Sequence, residues 1–206
     1  MLKLSPTKAA LVATAVLLPS SLIAQNARVG APAPQFTATD SSGRIQTLAE
    51  YRGKFVVLEW HNQGCPYTRK HYVSGNMQEQ QKKWTEQGVV WFTVISSAPG
   101  QQGYVTADEE NAYLKKMHAS PTAALLDADG QIGRLYGAKT TPEMYVIDPE
   151  GKLIYEGAID NRPTPEVSDI KGAENYVSEA LTEARAGRQV AQAYTRSYGC
   201  SVKYRD

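Results

Sequence analysis

Cysteine is scarce in this 206-residue chain, which has only Cys65 and Cys200, and histidine is limited to His61, His71 and His118. One pair of thiols provides at most one covalent staple, and a domain of this size does not need one to fold. Neither sign of charge dominates, with 22 basic against 21 acidic side chains, so the composition gives no reason to expect a nucleic acid or another polyanion as partner. Beyond the first 24 residues no apolar run approaches the roughly 20 residues of a membrane-crossing helix, which predicts no membrane span in the mature chain. Internal repeats and low-complexity segments are also missing.

What is present begins with a leader. Lys3 and Lys8 precede the apolar stretch Ala9 to Leu18, and Ser20 to Ala24 offers a cleavage region, so residues 1–24 read as a secretory signal. Cleavage after Ala24 is the preferred site, with Ala27 as an alternative, and the expected destination is the periplasm. Without Lys3 and Lys8 the net charge falls from +1 to about −1. The remaining chain, about 180 residues, fits a single domain spanning 25–187 followed by a tail, 188–206, that carries Cys200. An exported chain meets an oxidising compartment, where Cys65 and Cys200 can persist as a disulfide.

The hydrophobic pattern alternates between strands and helices. Gly30 to Pro34 reads as an extended entry, Asp40 to Gly43 as a turn within a hairpin, and Phe55 to Leu58 as a strand buried on both faces. Tyr72, Met77 and Trp84 share one helical face, which predicts a helix from Cys65 to Trp84 ended by Gly88. Val89 to Ile95 is a second buried strand, and Thr106 is an expected N-cap for a helix over Ala107 to His118. A short strand at Ala123 to Leu126, a turn at Asp127 to Gly130, and a proline-entered strand from Thr141 to Asp148 follow. A turn at Pro149 to Lys152 leads to Leu153 to Tyr155, and a last helix runs from Ile170 to Ala186, stopped by Gly187. This order gives an α/β fold with a central mixed sheet flanked by helices, an N-terminal hairpin extension and a C-terminal tail. Trp60, Trp84 and Trp91 read as core, and His71 and His118 as ordinary helix residues.

Cys65 falls between the strand ending at Leu58 and the start of a helix. Unpaired backbone N–H groups and the positive end of the helix dipole stabilise a thiolate there, so its pKa should be lowered. Pro66 suits the first helical turn, the Thr68 hydroxyl is expected to point at the sulfur, and Arg69 and Lys70 add positive charge. The competing reading makes Cys65 an inert buried residue or half of a structural staple.

Gly64-Cys65-Pro66-Tyr67-Thr68 resembles the Cys-x-x-Cys site of thioredoxins with the second cysteine replaced by Thr68, and Thr141-Pro142 resembles the Thr-Pro of that family. The entry Val29 to Phe36 and the segment Tyr51-Arg52-Gly53-Lys54 are similar to the alkyl hydroperoxide reductase and thiol-specific antioxidant branch. Together with Cys65 to Tyr72 and Gly199 to Tyr204, the set resembles exported, peroxiredoxin-like redoxins over nearly all of the mature chain. The resemblance implies a thioredoxin fold and a thiol oxidoreductase with no bound cofactor and no metal. It further implies a thioredoxin-like protein or small thiol as reductant, and a protein disulfide or hydroperoxide as substrate. Cys65, Cys200, Thr68 and Pro142 would carry the catalysis, and Thr141, Pro66 and Arg69 would bind substrate.

The resemblance is incomplete in instructive places. Peroxiredoxins carry Pro-x-x-x-Thr/Ser-x-x-Cys, whereas Leu58 and Asn62 stand seven and three residues before Cys65 here, and Pro142 occupies the place of the peroxiredoxin arginine. Arg69 or Arg134 could take that arginine's part only if the fold brings one to the sulfur. Thr68 cannot resolve a mixed disulfide, so resolution falls to Cys200, whose tail is long enough to reach back from Gly187. An alternative is a thioredoxin-fold binding or copper-carrying module, with His61 beside Cys65 and a structural Cys65–Cys200 disulfide. Thr141-Pro142 is expected to present its backbone to an extended peptide, or else to be an ordinary trans turn.

Overall fold

The computed structural model describes residues 26–205; the leader, 1–24, lies outside them. A hairpin of β1 (Thr37–Thr39) and β2 (Ile45–Thr47) leads through a 3-10 turn at Leu48–Tyr51 into β3 (Val56–Trp60). There follow α1 (Pro66–Val73), α2 (Asn76–Thr85), β4 (Val90–Ile95), α3 (Ala107–Met117), β5 (Ala123–Leu126) and α4 (Gln131–Tyr136). The chain closes with β6 (Thr140–Thr141), β7 (Glu143–Ile147), β8 (Leu153–Gly157), α5 (Tyr176–Arg185) and β9 (Cys200–Ser201).

The central sheet runs β5-β4-β3-β7-β8. Strands β3, β4 and β5 are parallel, while β7 and β8 are antiparallel to their neighbours, with Val56 opposite both Val90 and Ile147. Every residue of β3 and β4 is buried, Glu59 and Thr93 included, as strands covered on both faces require. Side chains alternate across the sheet: Val56, Leu58, Trp60, Phe92 and Tyr145 pack with Phe36 and Tyr136, while Val57, Trp91, Met144 and Val146 pack with Met77, Trp84, Val177 and Leu181. This mixed sheet between helices is the thioredoxin arrangement that the sequence implied.

Three elements differ from the sequence reading. The helix expected over Cys65 to Trp84 is two helices, because Gly75 turns the chain with φ of 81°, a left-handed conformation in which a side chain would be strained. The last helix starts at Tyr176 rather than Ile170, since Gly172 has φ of 81° and Asn175 supplies the N-cap through Ser178 N–H. Helix α4 has no counterpart in the reading; its six residues are too short for a periodic signal, and it is held by the Asp127 carboxylate accepting from Ile132 N–H (3.0 Å) and Gly133 N–H (2.8 Å). Thr106 caps α3 as expected, in a reciprocal capping box with Glu109, and His118 forms that helix's left-handed C-cap.

The tail follows a fixed path across one end of the sheet. Tyr194 bridges Glu156, and Thr195 Oγ1 accepts from Ala158 N–H at 2.9 Å. Cys200 and Ser201 pair antiparallel with Thr141 and Thr140 as a two-stranded ribbon. Val202 N–H donates to Lys139 O (2.9 Å), Lys203 O accepts from Ala98 N–H (2.8 Å), and the Tyr204 hydroxyl donates to Ala138 O (2.7 Å).

Candidate active site

The loop from β3 to α1 is shaped by Asn62. Its side-chain oxygen accepts from Gly64 N–H (2.9 Å), its carbonyl accepts from Cys65 N–H (3.0 Å), and its amide donates to Gln102 (2.9 Å). Asn62 therefore serves the turn, where a peroxiredoxin would place a hydroxyl. This delivers Cys65 as the N-cap of α1, extended at φ −79° and ψ 124°, with Pro66 as the first helical residue. Cys65 is fully buried, at 0% exposure.

Its sulfur meets residues from far along the chain. The thiol donates to the carbonyl of Thr141 at 3.0 Å, and the Thr141–Pro142 peptide bond is cis. Cys200, opposite Thr141 in the β6–β9 ribbon, brings its side chain within hydrogen-bonding reach of the same sulfur, and neither thiol is bonded to the other. Burial pushes the Cys65 pKa up. Hydrogen bonds from the side chains of Cys200 and Thr141, and from the backbone N–H groups of Thr68 and Cys200, outweigh it, so the net direction is down. Once ionised, the sulfur can no longer donate to Thr141 O, and these donors hold it instead. Cys200 moves the other way, to about 12, through its own burial and then the neighbouring Cys65 sulfur, against weak relief from Lys203. A thiolate at Cys65 and a thiol at Cys200 is the arrangement two close sulfurs favour.

The remaining expected site residues are placed less centrally. Thr68 is buried but its hydroxyl has no hydrogen-bond partner, so its N–H, not its Oγ1, supports the sulfur. Pro66 and Arg69 are exposed. Arg69 lines a groove with Gln63, Gly64, Tyr113 and Lys116, bordered by neither Thr141 nor Cys200. Arg134 stacks on the Tyr204 ring (4.8 Å) and donates to Arg205 O (2.5 Å), which commits it to the tail. Neither arginine stands at the sulfur as a peroxiredoxin arginine would.

Two buried polar groups were not legible in the sequence. Lys70, only 1% exposed, donates to Arg162 O at 2.5 Å, lies 3.9 Å from the Asp160 carboxylate and sits 5.1 Å from the centre of the Tyr198 ring. The Tyr198 hydroxyl donates to the same carboxylate, which also accepts from Arg162 N–H (2.9 Å). This cluster clamps the tail two residues before Cys200. On the inner face, Glu59 accepts from Tyr72 (2.7 Å), Trp91 (2.8 Å) and Gln81 (3.2 Å). His61 lies 3.7 Å from Glu59, between the rings of Tyr72 and Tyr113; burial opposes its charge, but Glu59 and Glu110 raise its pKa overall. No periodic signal distinguishes a lysine that will be buried from one that covers a helix face.

A family model described as the AhpC/TSA family matches residues 29–156. The chain belongs to the AhpC/TSA family. Among curated relatives, the thiol-disulfide oxidoreductase ResA of Bacillus thuringiensis subsp. konkukian is 29% identical over 131 residues, which covers 62% of this chain and 68% of that protein. The thiol:disulfide interchange protein DsbE of Pseudomonas aeruginosa is 26% identical over 153 residues, 70% of this chain and 72% of its own. The hypothetical protein SMc02350 of Sinorhizobium meliloti 1021 shares the fold, with a TM-score of 0.75 at 22% identity over 88% of this chain and 97% of that structure. A DsbE-like protein from Chlorobium tepidum superposes over 64% of this chain and 85% of its own, with a TM-score of 0.52 and 24% identity. This AhpC/TSA chain is therefore a thioredoxin-fold redoxin, and among its described residues no helix is long and apolar enough to cross a membrane.

Proposed function

We propose that this redoxin is an exported thiol–disulfide oxidoreductase of the periplasm, in which Cys65 is the nucleophile and Cys200 the resolving thiol. The observation that carries the reading is the convergence of two free cysteines, one at a helix mouth and one on the tail, beside Thr141. The names of the ResA and DsbE relatives favour disulfide chemistry. Hydroperoxide chemistry is less well supported, because Asn62 is spent on the turn and both candidate arginines lie elsewhere.

In the first step the Cys65 thiolate attacks one sulfur of R–S–S–R′, forming Cys65–S–S–R and releasing R′–S⁻. Forming the mixed disulfide removes the negative charge that faced Cys200, so one of the causes holding its thiol protonated disappears. Cys200 then gives up its proton to solvent or the departing thiolate and attacks the Cys65 sulfur, giving the Cys65–Cys200 disulfide and a second product thiol. The pair has now supplied two electrons, and a thioredoxin-like protein or small thiol returns them. Pro66 starts the helix that bears the nucleophile, Thr68 N–H and Thr141 support the sulfur, and Pro142 ends the edge facing it. Arg69 is left as a contact for substrate at the rim.

Turnover of hydroxyethyl disulfide with a thiol donor tests the scheme in wild type, Cys65→Ser and Cys200→Ser. Cys65→Ser should be inactive, and Cys200→Ser, treated with the disulfide in the absence of the thiol donor, should accumulate one equivalent of mixed disulfide and go no further. Activity retained in Cys65→Ser would refute the assignment.

A further inference from the structure

An extended peptide that reaches a sulfur in a sheet-edged cleft docks by adding a strand to the exposed edge. The edge beside Cys65 is Thr140–Thr141, and it is occupied by Cys200–Ser201 of the chain's own tail, in register and antiparallel. One side of a strand accepts one neighbour, so a substrate peptide cannot pair there while the tail does. The fit is closer than most peptides could achieve: Gly199 adopts φ of 136°, and a Cβ at that position would overlap the Thr141 carbonyl oxygen. The ribbon is tied on both sides of Cys200, by Tyr198 on Asp160 before it and by Val202, Lys203 and Tyr204 on Lys139, Ala98 and Ala138 after it.

We propose that the tail occupies the peptide position of the site, and that the oxidised substrate of Cys65 is a small disulfide rather than a disulfide within a protein chain. This rests on the assignment of Cys65 as nucleophile. A small disulfide needs only the Cys65 sulfur uncovered, through a local shift of Cys200 or of the exposed Gly64 beside it. A protein disulfide brings flanking backbone and needs the whole ribbon displaced. The first exchange is the one written above, with R and R′ small, and Cys200 completes it from within the ribbon.

The test isolates that first exchange in the full-length Cys200→Ser protein, by mass spectrometry of the Cys65 mixed disulfide formed with hydroxyethyl disulfide or with insulin. Since a binding-competent state that is a minor population lowers apparent affinity in proportion to that population, insulin should react at least about tenfold more slowly, beyond any intrinsic difference measured with a free thiol. Adding Gly199→Ala, which pushes the ribbon off Thr141, should speed the insulin reaction at least about tenfold and the small disulfide far less. Tyr198→Phe, a milder release of the same strand, should act in the same direction. The proposal is overturned if insulin reacts as fast as its intrinsic reactivity allows in the starting protein. It is also overturned if both release variants leave the insulin rate unchanged while proteolysis shows a freed tail. Should neither disulfide react with Cys65, the nucleophile assignment itself fails.

Discussion

Replacing Lys70 with Met tests whether the buried clamp beneath the tail is as consequential as its geometry implies. Lys70 and Asp160 are 1% and 2% exposed, and the lysine is the only full positive charge within ion-pair distance of that carboxylate among the described residues, apart from the His71 ring if it were protonated. Removing the cation leaves Asp160 with the Tyr198 hydroxyl and Arg162 N–H, and leaves the Arg162 carbonyl without the Lys70 donor. Breaking a buried pair from one side costs about 3–5 kcal/mol, and the 3.9 Å separation argues for the lower end, about 3 kcal/mol. For a domain of this size that corresponds to a fall in Tm of about 6–12 °C. Urea unfolding should show a lower midpoint with an unchanged slope. The double variant Lys70→Met with Asp160→Asn should be less destabilised than the two single losses summed, by about 1–2 kcal/mol. A loss below about 1 kcal/mol in Lys70→Met, or strict additivity in the double variant, would refute the clamp.

Other consequences follow from the same geometry. His71 is fully buried, and burial followed by the Lys70 charge lowers its pKa to about 3. Its neutral form is the folded one, so the unfolded chain takes up a proton near pH 6.5 that the folded chain refuses; stability is full above that pH and falls between about 6.5 and 3 by about 1.4 kcal/mol per unit. His71→Asn should flatten that limb in unfolding measured against pH, and an unchanged slope would contradict it. Cys200→Ala removes a donor to the Cys65 sulfur, so the pH midpoint of Cys65 alkylation should move up; a fall would contradict the stabilisation of that thiolate by Cys200. Gly157→Ala places a Cβ against Thr195 at φ of 141°, and should cost about 1–3 kcal/mol and increase proteolysis after Tyr194.

Much of the fold was readable because burial writes itself into composition. Phe55 to Leu58 is a continuous apolar run and Val89 to Ile95 is apolar but for Thr93, and both lie in central strands. Thr106 announced its helix through a local hydrogen-bond pattern that needs no tertiary partner. The break at Gly75 was hidden because Tyr72, Met77 and Trp84 face one core from two helices, keeping the periodic signal intact across the turn. The tail gave no signal because its order comes from partners at Glu156, Asp160 and Thr141 that are distant in sequence. At the site, the structure brings Cys65, Thr141 and Cys200 together. Proximity in sequence points to the Thr68 hydroxyl and Arg69, but a helix carries such neighbours around its axis as readily as toward the sulfur.

Peptide mapping after oxidation by a small disulfide bears most directly on the two-cysteine cycle. The reduced protein should lose both titratable thiols together and yield one cross-linked peptide pair joining Cys65 to Cys200 within a single chain. Recovery of Cys65 as a free thiol, with Cys200 joined to a second chain, would contradict it.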